Sequence, residues 1–219
     1  MRAEKSMALP VTVTQRVVDG IEAMIAEGSL APGHHVSEPF IAERLEVSRG
    51  PVREACRALV ERGLLIAEPN RGFFVRRLSE REVADLYDVR AALAGLAGRT
   101  LAPRITPEQQ AELSAMVAAH EAAAADGDLV AMQAHNARFH SRIVALSGNL
   151  RLQAIEASMD KELTMYRRRA GSKAGAMPAR NAEHRAILDA LARQDAEAAG
   201  AALEQHMLNS KQRFLQTLD

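Results

Sequence analysis

Two sets of side chains in this sequence have the types and spacing to do chemistry. The first lies in VSRGPVREACRALVERGLL, residues 47–65, where Arg49 and Arg53 stand four residues apart across a Gly-Pro step. Residues at that spacing share one face of a helix. A guanidinium fork there can meet guanine O6 and N7 together, or a phosphate, through two parallel hydrogen bonds. Ser48 is placed to cap the helix, Gly50 leaves the backbone open to close approach, and Pro51 fixes the first turn without wasting a donor. The free N–H groups and positive dipole end of such a helix attract phosphate. The plain alternative is a solvated face on which Arg49, Arg53 and Arg57 pair with Glu54 and Glu61.

The second set is Asn136, His140, His184 and His206. Asn136 and His140 are one turn apart, so both can face the inside of a helical bundle. His184 has Ile187 and Leu188 beside it, and His206 has Leu203 and Met207. Three imidazoles and an amide oxygen from three helices can converge on a borderline divalent cation such as Zn²⁺, Ni²⁺ or Mn²⁺. Histidines this far apart are a weak signal by themselves, and the plain alternative is that each is a separate hydrogen-bonded core or surface side chain. His34 and His35 fall in a loop, His120 near a helix end, and His135 about 100° around the helix from Asn136, so these four are read as surface residues.

The elements that must position these groups follow from periodicity and punctuation. Apolar residues at Val17, Val18, Ile21, Met24 and Ile25 make a helical stripe, closed by Gly28. A short helix follows, capped by Ser37 and carrying Pro39 in its first turn; Glu46-Val47 turns the chain into a third helix that ends at Gly63. LLIAE and FFVRR around Pro69-Asn70-Arg71-Gly72 read as a two-stranded hairpin. Three helices and a hairpin describe a winged helix-turn-helix over residues 10–78. Residues 79–219 read as an all-α bundle, with helices expected at 80–101, 107–125, 128–146, 149–170, 178–193 and 195–217. The fold class is therefore mostly α, in two domains meeting near Leu78-Ser79.

Composition narrows the function. Lys+Arg and Asp+Glu are both 28, so no polybasic mode of binding operates and any nucleic-acid contact must be local. Five Phe, two Tyr and no Trp argue against stacking of single strands on aromatic rings. Cys56 is the only cysteine, which excludes an intrachain disulfide and reads as a buried structural thiol. No uncharged apolar run approaches the ~18 residues needed to span a bilayer, and the expected location is the cytoplasm, with no membrane partner.

GSLAPGHHVSEPFIAERLEVSRGPVREACRALVERGLLIAEPNRGFFV resembles the DNA-binding domain of the GntR family of bacterial transcription regulators. The resemblance covers residues 13–76 and rests on G-x-L-x-P-G, S-E, V-S-R-x-P-V-R-E and P-x-R-G-x-x-V. It implies that Arg49 and Arg53 meet bases or phosphates of double-stranded operator DNA, that Ser48 caps the recognition helix and touches DNA backbone, and that Asn70, Arg71 and Gly72 carry a wing into the adjacent minor groove. Where relatives place a polar DNA-contacting side chain after Glu38, this chain has Pro39, so that contact is not carried over.

DLYDVRAAL, NARFHSRIVALSGN, NAEHRAILDAL and ALEQHM resemble the six-helix, FCD-type ligand-binding domain of the FadR-like subgroup, over roughly residues 80–217. The resemblance implies a divalent metal at Asn136, His140, His184 and His206, with Asn136 in place of the usual aspartate lowering the affinity. It also implies an effector pocket lined by Arg90, for which the alternative is a salt bridge to Asp85 or Asp88. The glutamate usual four residues on is Ala94 here. Tyr166, beside Arg167–Arg169, falls where a polar pocket wall would stand, against the alternative of a solvated basic run. The expectation is a homodimeric repressor of a palindromic operator, responsive to a small organic acid. Two rivals remain open: a direct metal sensor, and a metal-dependent enzyme, the latter disfavoured because no Glu or Asp has a spacing that suggests a general base.

Overall fold

The computed structural model describes residues 12–170 and 177–216, with side chains at all of these except 164–170 and 177–179. The chain divides into two units, one ending at Arg77 and one beginning at Leu78.

The first unit runs α1 (Val13–Glu27), β1 (His35–Val36), α2 (Glu38–Arg44), α3 (Arg49–Glu61), β2 (Leu65–Glu68) and β3 (Gly72–Val75). Thr12 caps α1 by accepting from the Gln15 N–H, and Gly28 ends it in the left-handed region, with φ 85°. The stripe Val17, Val18, Ile21, Met24 and Ile25 is buried and meets Val52, Ala55, Cys56 and Leu59 of α3. Burial, then the nearby Glu38 carboxylate, push the Cys56 thiol up to about 12, so it stays protonated and structural. Between α2 and α3 the turn is closed by Glu46 at φ 54°.

The sheet has three strands in the order β1-β3-β2, both pairs antiparallel, where the sequence suggested two. The extra strand comes from the segment read as a loop: the Val75 N–H donates to His34 O and the Gly33 N–H to Val75 O, which docks His35–Val36 along β3. Two residues are too few to show a strand alternation, so nothing in the pattern marked it. The hairpin itself pairs Leu65 with Val75 through Glu68 with Gly72. Asn70 (φ 60°) and Gly72 (φ 94°) supply the left-handed residues its tip requires.

In the second unit the described helices are α4 (Glu80–Leu101), α5 (Pro107–Ala125), α6 (Leu129–Leu146), α7 (Leu150–Ala170), α8 (Met177–Ala192) and α9 (Ala196–Leu215), with a 3-10 turn at Ala102–Arg104. Ser79 with Glu82, and Thr106 with Gln109, form capping boxes. Asp128, Asn149 and Asp195 accept from backbone N–H groups ahead of them, so they cap α6, α7 and α9 rather than join them. The core is built from Leu101, Leu113, Phe139, Ile143, Ile187, Leu191 and Leu203 among others. Helices α4 and α9 approach so closely at Gly98 that a Cβ there would lie 2.7 Å from both Ala199 O and Leu203 Cδ1. Among the described residues no helix is long and apolar enough to cross a membrane.

Candidate nucleic-acid interface and metal centre

The outer face of α3 is polar and open. Ser48, Arg49, Gly50, Arg53, Glu54 and Arg57 are exposed while Val52, Ala55, Cys56 and Leu59 hold the helix to its unit. Ser48 stands at the N-cap position, but its hydroxyl accepts no backbone hydrogen bond, contrary to the expected cap. Its backbone is the extended one of an ordinary N-cap (ψ 164°, against 160° at the capping Ser79), so the exposed hydroxyl is simply left, with the helix-end N–H groups, toward solvent.

The two arginines differ. Arg49 makes no ion pair with any described residue. Arg53 is gripped by Glu38 of α2: its Nε lies 3.2 Å from both carboxylate oxygens and its Nη2 3.1 Å from Oε2. The sequence pointed to Glu54 and Glu61 as partners, but Glu54 instead accepts from Thr14 on α1. Arg53 is 60% exposed, so the pair is worth ~0–1 kcal/mol and can be exchanged for a phosphate. At the hairpin tip Arg71 pairs with Glu68 and lies over the Phe74 ring, 5.2 Å from its centroid, which orients the guanidinium. His35 packs edge-on against the same ring, at 5.1 Å.

In the second unit, α6, α8 and α9 bring His140, His184 and His206 together. One ligand atom from each lies within 4.8 Å of the others, and all three residues are buried. Asn136, one turn before His140, buries an Oδ1 that no described donor reaches. The ring nitrogens of His184 likewise meet no partner among the described residues. His206 is oriented by Glu183, whose carboxylate accepts from Nδ1 at 2.7 Å and leaves Nε2 for the cluster. Burial pushes the Glu183 carboxyl up, but the hydrogen bonds from His206, Arg213 and Asn209 outweigh it and hold the group well below the usual carboxylate range. Burial, then the neighbouring His206, lower His184 to about 2, and burial also lowers His206. Three imidazole nitrogens that converge in a buried site, with the orphaned amide oxygen of Asn136 one turn before His140, are the donor set a borderline divalent cation takes, and the residues therefore fit one.

Several expectations change. His120 is not a surface residue: it is 0% exposed and its ring lies 4.9 Å from that of His184. Leu113, Val117 and His120 continue one buried stripe of α5, a spacing visible in the sequence. His34 and His35 are exposed, and His135 is half-buried. Arg90 does not pair with Asp85 or Asp88, which bind Arg81 and Lys211. It is 3% exposed and reaches across to α7, where Nε and Nη2 bind Glu156 and Nη2 also meets Asp160 at 3.3 Å. Its Nη1 is buried with no hydrogen-bond partner among the described residues. Ala94 is buried. Tyr166 and Arg167–Arg169 lie outside the described side chains. A carboxylate does stand beside the histidines, in Glu183, but hydrogen bonds from three residues occupy it, so it orients rather than abstracts. Asn181, one turn before His184, buries a second unpartnered Oδ1 that sequence reasoning missed.

Comparison with known proteins accords with both units. Residues 13–75 match the family described as bacterial regulatory proteins, gntR family, and residues 85–209 match the FCD domain. The chain is 34% identical over 209 residues, 94% of its length and 91% of the relative's, to a Paenarthrobacter nicotinovorans protein named "Probable D-xylose utilization operon transcriptional repressor". It is 33% identical to the Nta operon transcriptional regulator of Aminobacter aminovorans, over 62% of this chain and 64% of that protein. Among solved structures, Escherichia coli McbR/YncC superposes with a TM-score of 0.80 at 23% identity, covering 95% of this chain and all of that one (100%). A GntR regulator from Rhodococcus sp. RHA1 gives 0.76 at 26% identity, covering 93% and 97%.

Proposed function

The chain belongs to the gntR family of bacterial regulatory proteins, is a transcriptional regulator and not an enzyme, and from that premise we propose that it is a repressor whose grip on operator DNA is set by a small organic acid bound at a metal centre in its FCD domain. The observation that carries the effector side is the buried convergence of His140, His184 and His206 beside the orphaned Oδ1 of Asn136. A cation held there supplies a Lewis-acid position for a carboxylate or hydroxyl. Burial strengthens every polar contact such a ligand makes. Arg90 is held in a dry setting by Glu156 and Asp160, and its Nη1 remains as a donor for an anionic ligand.

On the DNA side, Arg49 reads a base edge, Arg53 exchanges Glu38 for DNA, Ser48 and Gly50 let the helix end meet phosphate, and Asn70, Arg71 and Gly72 enter the minor groove. The chain acts as a homodimer on a palindromic operator. Val89, Ala92 and Leu96 form an exposed apolar stripe along α4, with Val89 51% and Leu96 42% exposed, which a second copy would cover.

The test is a gel-shift titration of operator DNA with zinc alone, with small hydroxycarboxylates alone, and with both, including D-xylose because of the relative's name. Release only with metal and acid together supports the proposal. Release by zinc alone makes the protein a direct metal sensor, and release by D-xylose after chelation removes both metal and acid from the mechanism.

A further inference from the structure

We propose that His120 is a positioning residue of the metal centre, accepting the hydrogen bond from the ring nitrogen of His184 that faces away from the cation. The proposal rests on the metal-centre reading above. A cation takes one lone pair of an imidazole. The other nitrogen then carries the proton, and the acceptor it finds sets the tautomer and the ring orientation. For His206 that acceptor is Glu183, at 2.7 Å.

For His184 no carboxylate or carbonyl plays this part: neither of its ring nitrogens meets a partner among the described residues. Among the described residues its ring has four aromatic neighbours. His140 and His206, at 5.7 and 4.8 Å between centroids, belong to the cluster itself. Phe139, at 5.0 Å, offers no lone pair. The fourth is His120, with centroids 4.9 Å apart and planes at 79°, close enough for a nitrogen of one ring to reach a nitrogen of the other once the rings turn into line. His120 is 0% exposed and both of its nitrogens also lack a partner among the described residues. It is not a member of the group whose ligand atoms lie within 4.8 Å of one another, so it is adjacent to His184 without being in the ligand set. A neutral imidazole has one lone pair and one N–H, so His120 can accept from His184 with the first. The terminal torsion of a histidine is broad, so the two rings can turn into line once a cation on one nitrogen of His184 leaves the proton on the other; without metal the nitrogens of both rings stay unpartnered among the described residues.

Zinc affinity measured by competition with a chromophoric chelator, on the full chain, tests this. His120→Phe keeps an aromatic ring in the site but removes the acceptor, and should weaken zinc binding by about 10- to 100-fold. His120→Gln, whose amide oxygen still accepts, should recover most of that loss. The unfolding midpoint in chelator confirms that each variant is folded; should the Phe variant fail to fold, His120→Leu takes its place. Wild-type affinity in His120→Phe, or equal losses in the Phe and Gln variants, would overturn the proposal, the second because packing alone would then account for the effect. A wild-type chain that binds no zinc, nickel or manganese removes the metal centre itself, whereas a wild type that binds and a Phe variant that binds equally removes only the role of His120.

Discussion

Replacing His184 by leucine should make the metal-free chain more stable and deprive it of stabilisation by metal. The His184 ring is 0% exposed and its nitrogens meet no described partner. A buried polar group without a partner costs ~1–3 kcal/mol, and leucine, of similar volume, would pack against Phe139 and Ile187 without that cost. The gain in chelator should therefore be ~1–3 kcal/mol. At roughly 2–4 °C per kcal/mol for a chain of this size, the midpoint rises by about 2–12 °C. With zinc at a hundred times its Kd, the wild type gains about 2.7 kcal/mol and the variant nothing, so the difference closes or reverses. Differential scanning calorimetry in chelator and in excess zinc reads both arms. A variant that melts below the wild type in chelator would refute the reasoning, since the His184 nitrogens would then be satisfied by ordered water and not left costly. A wild type indifferent to zinc would refute the other half.

Arg49→Ala should reduce discrimination between operator and mismatched duplexes by ~1–3 kcal/mol; equal weakening on all sequences in a fluorescence-anisotropy titration would make it a phosphate contact. Gly98→Ala should destabilise the chain by ~1–3 kcal/mol in thermal unfolding, because the new Cβ would sit 2.7 Å from a backbone oxygen, Ala199 O. That outweighs the gain of about 1 kcal/mol in helix propensity, and a stabilised variant would mean the α4–α9 contact yields freely. Burial lowers His120 from 6.5 to about 4, so below pH 6.5 the unfolded chain takes up a proton that the folded chain refuses. This contributes nothing at neutral pH and removes about 1.4 kcal/mol per pH unit as the pH falls from 6.5 toward 4. In chelator the unfolding midpoint should therefore drop between pH 7 and 5, and drop less in His120→Leu; equal slopes would contradict the burial of that ring.

The elements were legible because their signals are local. The α1 stripe, Gly28 as a cap, and Asn70 and Gly72 at the hairpin tip each act within a turn or two of themselves. The helices of the second unit begin within one residue of their expected starts; α6, α7 and α9 begin one residue late because Asp128, Asn149 and Asp195 cap instead of joining. The two-residue strand β1 was invisible because its hydrogen bonds come from β3, not from its own pattern. The burial of His120 was within reach, since it extends the stripe of Leu113 and Val117, but a lone histidine among alanines gives no sign of what it faces.

By itself the sequence determined the winged helix-turn-helix, the helical bundle, and the placement of Arg49 and Arg53 one turn apart at the mouth of a helix. Periodicity and caps are read from neighbours, and those interactions are complete within the element. Only the tertiary structure decided which side chains meet across elements. It committed Arg53 to Glu38, 15 residues away, Arg90 to Glu156, 66 residues away, and His206 to Glu183, 23 residues away. It also drew ligand atoms of His140, His184 and His206 to within 4.8 Å of one another and set the His120 ring 4.9 Å from that of His184. Helix packing fixes the rotation and offset of each helix against its neighbours, and an error of one residue in that rotation turns a side chain by about 100°, from the cluster to the solvent.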